Sequence, residues 1–135
     1  MKQLLLIVLL LAPAALADSY YGPNGSYQGR AQSDGRGNTS YYDASGRYMG
    51  RSTTDSRGNT SYYGANGSYQ GRAQQNGNGG TSYYGANGSY QGRAQQSGSG
   101  TSYYGAGGSY QGRAQQSGSG TSYYGADGHY RGSRR

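Results

Sequence analysis

From Tyr20 onward one phrase recurs: Tyr-Tyr-Gly-x-Asn-Gly-Ser-Tyr-Gln-Gly-Arg-Ala-Gln, a short Gly/Ser/Asn stretch, Thr-Ser, and Tyr-Tyr again. The Tyr-Tyr pairs begin at Tyr20, Tyr41, Tyr62, Tyr83, Tyr103 and Tyr123, with spacings of 21, 21, 21, 20 and 20 residues. A fixed period of this size restricts a chain to an array of small supersecondary units that lean on their neighbours. Copying multiplies a surface. It does not assemble a single constellation of catalytic side chains.

Lys2, the apolar run Leu4 to Leu11 and the small-x-small Ala15-Leu16-Ala17 read as a secretory signal peptide over residues 1–17. The apolar run is too short to span a bilayer, and the mature chain carries no second one. Residues 18–135 are expected to form one repeat domain of five full 20–21-residue repeats and one partial repeat. After Ala17 there is no Leu, Ile, Val, Phe, Trp, Cys, Lys or Glu. A core of branched aliphatics or a disulfide staple is therefore impossible, and such a composition tends towards disorder unless a regular sheet forms. Without Lys2, eleven Arg face five Asp, a net charge of about +6. Arg in the absence of Lys favours stacking and bidentate contacts to carboxylates or phosphates.

One repeat reads as a β-hairpin. Thr81-Ser82-Tyr83-Tyr84 favours a strand, Asn87-Gly88 is a strong hairpin-turn signal, and Ser89 to Ala94 is the return strand. With an even-numbered loop, alternation puts Tyr83, Tyr90, Gly92 and Ala94 on one buried face. Tyr84, Gln91 and Arg93 share the other. The segment Gln95 to Gly100 is expected to be an outward loop, because the third copy is one residue longer there. The diverged first and last copies read as caps. The expected fold is all-β, a solenoid-like stack of tandem hairpins.

Tyr42-Asp43-Ala44-Ser45-Gly46-Arg47, followed by Asp55-Ser56-Arg57-Gly58-Asn59-Thr60 and Tyr62, resembles the YD repeat of RHS-type bacterial surface and toxin-shell proteins. The Tyr-Tyr-x-x-Asn-Gly pattern is also similar to MORN-like repeats. Both families build β-hairpins in series, so the resemblance implies hairpin architecture and an envelope or surface role, with no activity attached.

Catalysis is not expected. The single His129 stands where other copies carry Ser26, Ser68, Ser89 and Ser109, and general acid–base work needs positioned partners that the chain does not repeat. Asp34-Gly35-Arg36-Gly37-Asn38 is similar to a calcium-binding turn, but the later copies replace it with Ser97-Gly98-Ser99-Gly100, so it reads as an Asp/Gly turn and no metal or cofactor is expected. The candidate binding surface is the recurring Tyr/Arg/Gln face, represented by Tyr63, Arg72, Tyr84, Arg93, Tyr104 and Arg113. The expectation is a non-enzymatic protein exported to the periplasm or the exterior, structural or adhesive in role. The alternatives are a functional-amyloid-like matrix subunit that self-associates, or an exported binder of acidic polysaccharide or extracellular nucleic acid.

Overall fold

The computed structural model describes residues 17–135; the expected signal peptide, apart from Ala17, lies outside the described residues. The described residues form twelve strands: β1 (Ala17–Tyr21), β2 (Tyr27–Ser33), β3 (Asn38–Asp43), β4 (Tyr48–Thr54), β5 (Thr60–Gly64), β6 (Tyr69–Gln75), β7 (Gly80–Gly85), β8 (Tyr90–Ser97), β9 (Gly100–Gly105), β10 (Tyr110–Ser117), β11 (Gly120–Gly125) and β12 (Tyr130–Arg134). Each strand pairs antiparallel with its sequence neighbours, and β1 pairs with β12, so the sheet closes into an up-and-down barrel. The all-β hairpin expectation holds. The open solenoid does not.

The reason for closure lies in the second connection. Gln95, Gln96 and Ser97 are strand residues, and Ser97 faces Gly100 across a two-residue Gly98-Ser99 turn. Gly98 has φ +60°, as the first central position of a type II′ hairpin turn requires. What the sequence suggested was an outward loop is thus a second tight turn. Hairpins joined this way meet edge to edge in one meander instead of face to face in a stack. Only the outer edges of β1 and β12 would then remain unpaired, and twist brings them together. The first and last copies do not cap an array; they meet.

The first connection corrects the face assignment. Gly88 N–H donates to Gly85 C=O (2.9 Å) and Gly85 N–H to Ser89 C=O (2.8 Å), while Gly88 sits at φ +83°. This is a three-residue loop, a type I turn followed by a left-handed glycine, rather than a two-residue Asn-Gly turn. An odd loop sets Tyr84 opposite Tyr90. A bulge at Gln91 then restores the alternation, so that Tyr83 faces Gly92 and Thr81 faces Ala94. Tyr90 therefore lies outside, 40% exposed, where the even-loop reading had placed it inside. Gly92 does not make room for a ring from the next unit, as the sequence suggested. Its φ of +138° and its contact with the Tyr104 carbonyl leave no place for a Cβ.

The interior alternates large with small around the ring. Each inward tyrosine has a Gly opposite it on one neighbouring strand. On the other side stands an Ala, as Tyr83 lies between Gly92 and Ala73, except that Tyr62 faces Ser52 and Tyr20 faces Arg134. Tyr62, Ala73, Tyr83 and Ala94 form a buried cluster with Tyr103 packed against it. Burial raises the Tyr20, Tyr41, Tyr62, Tyr83, Tyr103 and Tyr123 hydroxyls above the ordinary phenol value, and neighbouring phenols push several of them further the same way.

Candidate functional site

The outer face carries one motif six times, at the same height on the barrel. Arg72 on β6 stands directly across from Tyr84 on β7, with its guanidinium carbon 4.7 Å from the ring centroid. On the other side of Tyr84, the Tyr90 ring of β8 meets it edge-on, with centroids 5.9 Å apart and planes at 64°. The Arg–Tyr–Tyr triad recurs as Arg30/Tyr42/Tyr48, Arg51/Tyr63/Tyr69, Arg93/Tyr104/Tyr110 and Arg113/Tyr124/Tyr130. Tyr21 and Tyr27 complete the belt, with Arg135 reaching over Tyr21 at 5.7 Å. There the register partner of Tyr21 is Ser133, so the last residue supplies the cation that Ser133 cannot.

All six sequence candidates lie on this outer face. Arg72 is brought to Tyr84 and Arg93 to Tyr104. Tyr63 takes its cation from Arg51, and Arg113 gives its own to Tyr124. The third tyrosine of each triad was missed, because its placement hangs on the parity of the turn. The Tyr-Gln-Gly segment was the available signal: a Gly two places after the tyrosine is where a bulged strand turns its alternation over.

Among the described residues, Arg30, Arg51, Arg72, Arg93 and Arg113 form no ion pair; the acidic partners belong to Arg47, Arg131 and Arg134. A cation over an exposed aromatic ring is worth about 0.5–1 kcal/mol. A hydrogen bond to a charged group is worth about 1.5–3 kcal/mol. An anion bound to the guanidinium would thus contribute more than the ring does, without having to displace it. Because ring contact occupies the planar face, the N–H edge remains for a carboxylate.

A second, different cluster lies inside. Asp18 occupies the position of Thr81 in the repeat and Arg134 that of Ala94, and both are buried, 5% and 8% exposed. Their charged atoms stand 3.6 Å apart, an ion pair too long for a hydrogen bond, and Arg134 Nη2 donates to Thr121 Oγ1 at 3.3 Å. The two exceptional residues thus meet at the β1–β12 junction.

The Asp34 segment is a turn held by its own carboxylate. Asp34 Oδ1 accepts from the backbone N–H of Arg36 (2.7 Å) and of Asn38 (3.1 Å), and Oδ2 accepts from Asn38 Nδ2 (2.7 Å). These donors, the Asn38 side chain foremost, hold its carboxyl below the usual carboxylate range.

Comparison with protein families, curated proteins and solved structures finds no match to the chain. The resemblance to YD and MORN-like repeats therefore rests on the motif alone.

Proposed function

We propose that this is an exported, non-enzymatic adhesive protein whose Arg–Tyr–Tyr belt grips a repetitive acidic polysaccharide at the cell envelope or exterior. The observation that carries this reading is the near-identical repetition of the triad around the outer wall, with guanidinium–ring distances of 4.7 Å to 5.7 Å. A tyrosine ring offers a stacking surface to a sugar face, and the neighbouring guanidinium a bidentate site for a uronate. Sites repeated around one rigid body turn individually weak contacts into avidity when the ligand is itself repetitive. Single-stranded nucleic acid is the second reading, since the exposed third tyrosine of each triad offers a base the same ring that it offers a sugar.

The outer wall also argues for water rather than lipid around the barrel. Its strands have 5 to 8 residues, against about 9–11 for a membrane-spanning strand. An outward Arg in a bilayer midplane costs about 2–4 kcal/mol, and this wall has one in almost every hairpin. The expected leader over residues 1–17 supports export. The amyloid-like alternative depends on strand edges that pairing of β1 with β12 occupies.

The test is titration of residues 18–135 with a soluble polyuronate, alongside neutral dextran of matched length and single-stranded DNA. Polyuronate binding that weakens with salt is expected, together with its loss when Arg30, Arg51, Arg72, Arg93 and Arg113 are changed to Ser in a folded barrel. Equal binding of dextran, or an unaffected variant, rejects the reading. Tighter binding of DNA reassigns the belt to nucleic acid.

A further inference from the structure

The eighteen tyrosines of the chain fall into three classes of six, one of each per repeat. The first faces the lumen and is largely buried. The second lies between a guanidinium and a neighbouring ring. The third, Tyr27, Tyr48, Tyr69, Tyr90, Tyr110 and Tyr130, is 37% to 41% exposed on the outer wall beside the three-residue turns. We propose that this third class is a set of oxidative coupling sites through which separate copies of the barrel become covalently joined by tyrosine–tyrosine bonds.

The chemistry needs an oxidant and two accessible ring edges. A peroxide-driven haem peroxidase removes one electron and one proton from each of two phenols, leaving two phenoxyl radicals. These combine at the ring carbons ortho to oxygen, forming one carbon–carbon bond. The two ortho hydrogens then move to the oxygens as protons, restoring both phenols. The peroxide takes up the two electrons and two protons and becomes two waters.

Geometry selects bonds between molecules over bonds within a triad. Ortho–ortho coupling needs two ring edges to meet, but the paired rings of each triad stand at 63° to 66°, edge against face. Their shared sheet holds them there, since Tyr84 and Tyr90 are direct register partners. A third-class ring on another barrel has no such constraint. The inward class cannot reach a second molecule at all. The chain has no cysteine to divert the oxidant; Met49, 40% exposed beside Tyr48, is the one thioether in the described residues and would be oxidised to sulfoxide in parallel. Six sites spread around a wall give a branched network, not a dimer.

The experiment treats purified residues 18–135 with hydrogen peroxide and a haem peroxidase. The products are separated under denaturing conditions, read for dityrosine fluorescence, and mapped by mass spectrometry. A fluorescent ladder extending beyond dimer is expected. Its cross-linked peptides should be lighter than their parents by two hydrogens and joined at third-class tyrosines. Substituting all six by Phe keeps the rings and removes the hydroxyls, and should abolish the ladder. Fluorescence confined to the monomer overturns the proposal, as do bonds mapped mainly to the Tyr20 or Tyr21 classes. An undiminished ladder from a folded Phe variant does the same. If that variant does not fold, the map of the unsubstituted chain decides alone.

Discussion

At the scale of single residues, the three classes of tyrosine are set by what stands beside each ring. Tyr62 is buried against Ala73 and neighbouring rings, and its phenol is pushed far up by burial. Tyr62→Ala should cost about 3–5 kcal/mol, measured by urea unfolding. Because the folded-state value of the inward phenols exceeds the ordinary 10.0, their contribution to stability is complete below that pH. It is lost as pH rises towards the folded value. Ultraviolet titration should therefore find six phenols that ionise only with alkaline unfolding of the barrel. Eighteen phenols titrating together in a folded chain would contradict the inward assignment. Asp18 and Arg134 give a second residue-level test. Asp18→Thr alone leaves a buried guanidinium without its anion and should cost about 3–5 kcal/mol. The double change Asp18→Thr with Arg134→Ala restores the ordinary repeat residues and should recover most of that loss. Equal, additive losses in denaturant unfolding would show that the two do not act as a pair.

At the scale of elements, the alternation of the first strand and the outward Arg were legible, because period-two patterning needs no knowledge of neighbours. Tyr83 inside and Tyr84 with Arg93 outside follow from it. Tyr90 was not legible, because Asn87-Gly88 suits both a two-residue and a three-residue loop and only the backbone hydrogen bonds distinguish them. Closure was hidden for a different reason: pairing β1 with β12 joins residues more than a hundred positions apart. The clue was present as two breaches of the repeat, a charge in place of Thr at Asp18 and another in place of Ala at Arg134. Gly92 tests the bulge itself. Its φ of +138° and the adjacent Tyr104 carbonyl leave no room for a methyl group. Gly92→Ala should destabilise by at least about 1–3 kcal/mol, whereas Gly107→Ala, with nothing near it, should change little. Similar unfolding midpoints for the two would remove the bulge from the account.

At the scale of the whole molecule, a closed sheet and an open stack differ most at their ends. An array frays from its terminal repeats, while a barrel has no terminal repeat. Amide hydrogen exchange in β1 and β12 should be as slow as in β6 and β7. The Asp18→Thr variant should speed exchange in β1 and β12 first. Fast exchange confined to those two strands in the unaltered chain would favour the open stack.

Ser19 and Arg135 exchange a reciprocal pair of backbone hydrogen bonds, 2.7 Å and 2.9 Å long, so the residues after the last strand are tied back to the first strand. In a circle of like members, any turn is open to becoming the new pair of ends. The barrel is for that reason a natural subject for circular permutation. Opened at Asn78, in the turn that already tolerates an extra residue, and joined from Arg135 to Ala17 by a short linker, the same twelve strands should find the same neighbours.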